Sequence, residues 1–290
     1  MRSRRRFTVP LPAGRSLVLG ERTLVMGIIN VTPDSFSNGG VLFDPIKAVD
    51  GGVRMVEEGA DILDVGGEST RPGAQPLSAA EERARVLPVV EALVRRVAVP
   101  ISVDTYKASV ADAVLDAGAA IINDVSGLRY EPALGDVVAR RGAGLVLMHT
   151  RGRSKDMYQA ASYHDVVDEV RDELRESIAF ATGAGVAREA IVIDPGLGFA
   201  KEPAHSYEAV SRLHEFAELA RPILAGPSRK SFLSKAVGRS LAAAQRDWGT
   251  AAAVTASVLA GAHVVRVHAV AEMSQVVRVA DEIRKYYRDE

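Results

Sequence analysis

The chain has 290 residues, 47% of them hydrophobic, 25% charged and 5% aromatic; at that length folding buries about three-quarters of the unfolded surface, so a core forms without staples. Lys plus Arg number 36 against 37 for Asp plus Glu, a formal net charge of -1, which argues against a nucleic-acid binder working by bulk counterion release. Cysteine is absent, which excludes a disulfide framework, a thiol nucleophile and a thiolate metal site. Met1 to Arg6 carries four arginines and reads as a frayed basic tail. Phe7-Thr8-Val9-Pro10 follows it where a secretory signal would need an apolar run and a small-residue cleavage site, so none is expected. Residues 1–20 read as an N-terminal extension and 21–290 as one domain, because no linker, charge block or low-complexity tract divides the chain.

Short β-branched runs then recur at Leu24–Ile29, Ile62–Val65, Ile101–Val103, Ala120–Ile122, Leu145–Met148, Ile191–Ile193, Ile223–Ala225 and Val264–Val267. Helical patterns lie between them. Asp44-Pro45 predicts a cap with proline in the first turn, and Gly59 a stop. Ser78-Ala79-Ala80-Glu81 has the spelling of a capping box. Eight buried strands alternating with helices predict an α/β fold, a single-domain (β/α)8 TIM barrel. An open doubly wound sheet is the alternative, but no G-x-G-x-x-G follows the first strand. The apolar stretch Ala251–Val270 is interrupted by His263 and Arg266 and fails as a membrane span.

The strand ends carry the chemistry. Residues two apart on a strand share a face, so Asp64 lies with Ile62, Asp104 with Ser102, Asp194 with Val192, and Arg266 and His268 with Val264. Asn30 and Asn123 end their strands in the same phase. Apolar faces belong against the outer helices, which turns this polar set inward at the C-terminal rim, where barrel enzymes build their sites. Asp104, Asn123 and Asp194 suit the donor-rich edge of a planar heterocycle. Lys230 adds a donor for a ring carbonyl or an anion, and Arg266 with His268 suits a phosphate. Arg266 could equally pair with a rim carboxylate. The histidines show no metal-ligand spacing, so a tightly held transition metal is not expected, while a diphosphate-bound Mg²⁺ with one or two oxygen ligands stays open. Gly196-Leu197-Gly198-Phe199-Ala200-Lys201 is not a P-loop and reads as a tight turn after the sixth strand. The segments after the first two strands are longer than barrel turns need and mix glycines with polar side chains, as mobile site-covering loops do.

At these residues the chain resembles the dihydropteroate synthases of folate biosynthesis. Met26-Gly27-Ile28-Ile29-Asn30-Val31-Thr32-Pro33-Asp34-Ser35-Phe36-Ser37 is similar to that family's first signature, and Asp64-Val65-Gly66-Gly67-Glu68-Ser69-Thr70-Arg71-Pro72-Gly73 to its second. Ile101-Ser102-Val103-Asp104-Thr105, Ile122-Asn123-Asp124, Leu147-Met148-His149, Asp194-Pro195-Gly196, Ser228-Arg229-Lys230-Ser231 and Arg266-Val267-His268 follow in the family's order. The resemblance runs from about Leu24 to the C-terminus. It implies condensation of 6-hydroxymethyl-7,8-dihydropterin pyrophosphate with p-aminobenzoate, a transfer of the pterinylmethyl group, in a cytoplasmic homodimer that uses Mg²⁺ and is a sulfonamide target.

Carried over residue by residue, the resemblance implies that Asp104, Asn123, Met148, Asp194, Lys230 and Arg266 hold the pterin. Asn30, Thr70, Arg71, Arg266 and His268 would hold the diphosphate, with Asn30 on the metal. Phe36, Thr70, Arg71, Pro72, Phe199 and Ser228 would shape the p-aminobenzoate pocket. Asp104, Asp194, Lys230, Arg266 and His268 would carry the catalysis. Four positions depart from the family spelling: Asn38 in SDGG, Thr150 in MHM, Ala200 in GFGK and Ala269 in RVHD. The rival readings are a methyltetrahydrofolate-binding methyltransferase, which needs no pyrophosphate clamp, and a non-catalytic pterin-binding paralogue, in which the loops or anion residues would be eroded.

Overall fold

The computed structural model describes residues 4–32, 45–70, 73–153 and 157–286. The chain enters through an antiparallel ribbon, β1 (Phe7–Pro10) and β2 (Ser16–Leu19), joined by a turn over Pro12–Gly14. The sequence reading missed this ribbon, whose apolar Val9 and Leu19 stand on either side of a Pro-Ala-Gly turn. The frayed tail is also corrected at Arg4. Its guanidinium is buried and donates to the Thr23 hydroxyl and the Ala262 carbonyl, both at 2.6 Å, and pairs with Asp281 at 3.1 Å. A cation able to reach two acceptors and a carboxylate stays ordered where a solvated one would fray.

Eight parallel strands follow: β3 (Leu24–Asn30), β4 (Ile62–Gly66), β5 (Ile101–Asp104), β6 (Ile121–Asp124), β7 (Gly144–Met148), β8 (Ile191–Asp194), β9 (Leu224–Ala225) and β10 (Val264–Val267). Their spatial order is β8-β7-β6-β5-β4-β3-β10-β9. The ring closes between β8 and β9 through one bridge, Ile193 to Ile223, with the Ile193 amide donating to Pro222 at 2.9 Å. This is the expected (β/α)8 barrel. The seventh strand is shorter than the sequence suggested because Ile223 joins the ladder only through that bridge. Around the ring lie α1 (Pro45–Glu57), α2 (Ala79–Arg96), α3 (Ala108–Asp116), α4 (Leu134–Arg141), α5 (Val166–Gly183), α6 (Pro203–Ser211), α7 (Phe232–Ala236), α8 (Asp247–Leu259) and α9 (Val270–Arg284). The Ser78–Glu81 capping box opens α2 as its spelling required, and Gly59, at φ +108°, follows α1. Asp44, the expected cap of α1, lies outside the described residues. None of the described helices is long and apolar enough to cross a membrane.

Strands in a parallel sheet are covered on both faces, so each alternates between two apolar environments rather than between core and water. Leu63, Val65, Val103, Ile122, Leu145 and Val265 face outward into the helix layer. Met26, Ile62, Ile121, Val146, Val192 and Val264 face inward, where Val9, Leu11 and Leu19 of the entering ribbon join them. The ribbon thus plugs the N-terminal end of the barrel with side chains. One step further along β4, β6, β8 and β10 the inward positions turn polar, at Asp64, Asn123, Asp194 and Arg266, and the site begins there. The expected mobile loop after the first barrel strand, with Phe36 and Asn38, lies outside the described residues, as do Arg71 and Pro72 of the second.

Candidate active site

Strand register brings the polar endings onto one rim. Asp64 lies beside Ser102 and Ile28, Asp104 beside Gly66 and Asn123, and Met148 beside Asp194. Gly66 adds no side chain, so the space next to Asp104 stays open. From β10, Arg266 reaches across the barrel mouth, donating from Nε to Asp64 at 2.6 Å and from Nη2 to Asp104 at 3.0 Å. The same Asp64 oxygen accepts from the Asn123 carboxamide at 3.0 Å. One guanidinium therefore serves two carboxylates, and of the two expectations for Arg266 it is the pairing with rim carboxylates that the structure shows.

Asp64 is the residue that sequence reasoning put on the inward face without giving it a task. It is fully buried, and its second oxygen has no partner among the described residues. A buried carboxylate that orients a guanidinium and an amide leaves fewer rotamers open to both, which is what a rigid binding edge needs. Its sequence signals were its phase with Ile62 and its place at the head of the second signature.

A second group forms where β8 meets the turn after β9. The Asp194 carboxylate accepts from the Gly196 amide at 2.7 Å, and Lys230 Nζ donates to the Leu197 carbonyl while sitting 4.1 Å from the centre of the Phe199 ring. Burial pushes Asp194 above the ordinary carboxylate range, although Lys230 pulls it back. Burial also pushes Asp104 up, to about 7, against the pull of Arg266, and lowers Lys230 to about 7 against that of Asp194. Such shifts gather where charged groups are held ready for a ligand.

On the third side, the Ser228 hydroxyl lies 2.9 Å from His268 Nδ1 and accepts from the His268 amide at 3.1 Å. Ser228 thus ties the turn after β9 to His268, just after β10. Asn30 ends β3 half-buried, and no hydrogen bond to another described residue holds its carboxamide. Thr70 is the last described residue before Arg71 and is half-buried.

The departures from the family spelling fall into place differently. Ala200 sits at φ +45°, a left-handed conformation that a Cβ disfavours by about 1–2 kcal/mol, so the glycine of the GFGK spelling has a backbone reason. Thr150 is buried, and its carbonyl accepts from Arg129 at 3.0 Å. Ala269 is the N-cap of α9 and offers it no side-chain acceptor. An aspartate there would cap the helix and favour a charged imidazole without touching what His268 binds. Ala269→Asp is therefore expected to stabilise the fold by about 0.5–2 kcal/mol in thermal denaturation. It should change kcat/KM by less than about tenfold, with His268→Ala costing distinctly more. A variant no more stable than the parent would reject the capping role.

A family model for pterin binding enzymes matches residues 26–268. The dihydropteroate synthase of Synechocystis sp. is 42% identical over 278 residues, covering 96% of each chain. A structure of dihydropteroate synthase from Xanthomonas albilineans with 4-aminobenzoic acid is 44% identical, with a TM-score of 0.88 over 97% of this chain and 100% of that one. A second from the same organism, in complex with 7,8-dihydropteroate, is 41% identical with a TM-score of 0.84, over 96% of this chain and 100% of that one. On these matches, which span nearly the whole chain, it belongs to the pterin binding enzyme family, among its dihydropteroate synthases.

Proposed function

We propose that the chain condenses 6-hydroxymethyl-7,8-dihydropterin pyrophosphate with p-aminobenzoate, giving 7,8-dihydropteroate and pyrophosphate, and that the rim residues described above do the work. The observation that carries this reading is Arg266 reaching from β10 to Asp64 and Asp104, with Asn123 beside Asp104, Asp194 and Lys230 close by, and Ser228 joined to His268. Asp104, Asn123 and Asp194 suit a planar ring rich in N–H donors, and Arg266 with His268 suits an anion attached to it.

Asp104, Asn123 and Asp194 accept hydrogen bonds from the pterin edge, Lys230 donates to the ring, and Met148 packs against it. Arg266, held by Asp64 and Asp104, lies over the ring face beside the diphosphate. Cleavage of the bond between the pterin methylene and the bridging oxygen leaves the electron pair on pyrophosphate and a cation delocalised over the pterin. Arg266 and His268 donors, already oriented, stabilise the charge growing on the leaving group. The carboxylates of Asp104 and Asp194 stabilise the cation. The aryl amine is a weak neutral nucleophile, so its placement by Phe36, Thr70, Arg71, Pro72, Phe199 and Ser228 counts for more than a strong base. Attack forms the carbon–nitrogen bond, and the amine proton leaves with water or pyrophosphate. No covalent intermediate with the protein is needed.

Mg²⁺ fits this donor set as a guest of the diphosphate. No cluster of three or more His, Asp or Glu that could hold a metal occurs among the described residues, but Mg²⁺ takes most ligands from phosphate and water and needs only one or two hard oxygens from protein. The Asn30 carboxamide oxygen at the rim would supply one. When bound, the ion neutralises charge on the departing pyrophosphate.

Pyrophosphate release from the pterin diphosphate, measured with and without p-aminobenzoate, tests the reading. Turnover is expected to stop in excess EDTA with no change in the unfolding transition, because such a metal is not part of the fold. Full activity in EDTA would remove Mg²⁺ from the scheme, and binding without release would favour the non-catalytic reading.

The same proposal includes a homodimer. Trp248 on α8 is 90% exposed, and Val279, Ile283 and Tyr286 are exposed on or just after α9. These two helices pack on each other, so they present apolar side chains on neighbouring surfaces, as an interface core requires. Sedimentation equilibrium should give twice the chain mass, and Trp248→Glu should lower it; a monomer at micromolar concentration would reject the dimer. A cytoplasmic site of action is supported by a substrate whose diphosphate does not cross a membrane unaided. The same proposal takes residues 1–20 as the N-terminal extension and 21–290 as one pterin-binding domain.

A further inference from the structure

Lys201 is among the largest fully buried side chains of the described residues, at 1% exposure, and no step above uses it. It ends the turn that follows β8. Gly196 begins that turn at φ +69°, so close to β7 that a Cβ would lie 1.9 Å from the His149 carbonyl. Lys201 Nζ donates to His149 Nδ1 at 2.9 Å and to the Phe199 carbonyl at 3.2 Å. His149 Nε2 in turn donates to Glu173 of α5 at 3.1 Å, and Glu173 is held by Arg129 at 2.9 Å and by Arg151. Burial and the neighbouring Lys201 lower His149 to about 3, so its ring is neutral and Nδ1 is an acceptor. Tyr163 closes the arrangement by donating to the Ala200 carbonyl at 2.8 Å.

No described carboxylate pairs with Lys201, and burial pushes it well below its ordinary value although the charge of Asp194 pulls it back. Two acceptors, His149 Nδ1 and the Phe199 carbonyl, receive its N–H groups. An apolar side chain of the same length would fill this space at less cost. What the amine adds is direction, because its two bonds tie the Phe199 carbonyl to the end of β7. The turn so fixed presents the Phe199 ring and the Leu197 carbonyl to Lys230.

We propose that Lys201 is a positioning residue for the aryl-amine subsite, setting the Phe199 turn against Lys230 through the Phe199 carbonyl and His149. This rests on the reading of Phe199 as a wall of the p-aminobenzoate pocket.

Steady-state kinetics on Lys201→Met, Lys201→Gln, His149→Phe and Phe199→Ala test it. Lys201→Met should raise KM for p-aminobenzoate by about tenfold or more, while KM for the pterin diphosphate and amine-independent pyrophosphate release stay within about twofold. His149→Phe should show the same split. Lys201→Gln, which keeps two N–H donors, should recover part of the loss. An unchanged KM for p-aminobenzoate in Lys201→Met, with Phe199→Ala raising it, would overturn the role of Lys201 alone. If Phe199→Ala leaves that KM unchanged, the subsite reading itself fails. Equal losses for both substrates, or loss of fold in both lysine variants, would assign Lys201 to the core and overturn the proposal.

Discussion

Arg266→Ala is expected to cost about 3–5 kcal/mol of stability near neutral pH, because it leaves two buried carboxylates facing each other with no cation between them. The sign of its pH dependence is fixed. Asp104 is already raised to about 7 in the parent and loses the guanidinium that holds it down, so it rises further. A carboxyl raised above its unfolded value penalises folding above that value and not below it. The deficit of the variant should therefore shrink on acidification from about pH 8 to about pH 5, measured by denaturant titration against the parent. Catalysis should fall by about 10²–10³ in kcat/KM, the usual loss when an oriented donor is removed from a developing anion. Arg266→Lys should recover little, since a point charge cannot bridge Asp64 and Asp104 as a fork does. Parent-like stability in Arg266→Ala at neutral pH would show that the two carboxylates do not depend on it.

Asp194→Asn keeps the shape of the side chain and removes its charge, and pterin affinity should fall by about tenfold or more, given about 1.5–3 kcal/mol for a hydrogen bond to a charged acceptor. Asp104→Asn should do the same and carry a second signature. Burial raises Asp104 to about 7, so the acceptor that binds pterin is lost as pH falls through that value. Parent affinity should therefore weaken below about pH 7, by up to tenfold per unit for one proton, and the slope should flatten in Asp104→Asn. Calorimetric titration with a pterin between about pH 5.5 and 8 reads both. Parent affinity in both variants would remove these carboxylates from the site.

The barrel was legible because its evidence is local and repeated. Eight buried β-branched runs alternate with capped helices, and the period of two along each strand sorts inward from outward side chains before any contact is known. That is why Asn30, Asp104, Asn123, Asp194, Arg266 and His268 could be placed on one face from spelling alone. The resemblance then supplied their tasks. The ribbon at Phe7–Leu19 was not legible in the same way. Its two strands are four residues each and become stable only by capping a barrel floor built from residues far along the chain.

What the sequence by itself determined is the eight barrel strands, the face each polar ending occupies, and the family. What only the tertiary structure decided is which charges meet. Asp64 and Arg266 are 202 positions apart, and Lys201 and His149 are 52 apart. Neither pairing has a spacing rule, because the partners come from different strands and loops. Closure of the ring and its register bring them together, and burial then makes each contact strong enough to matter.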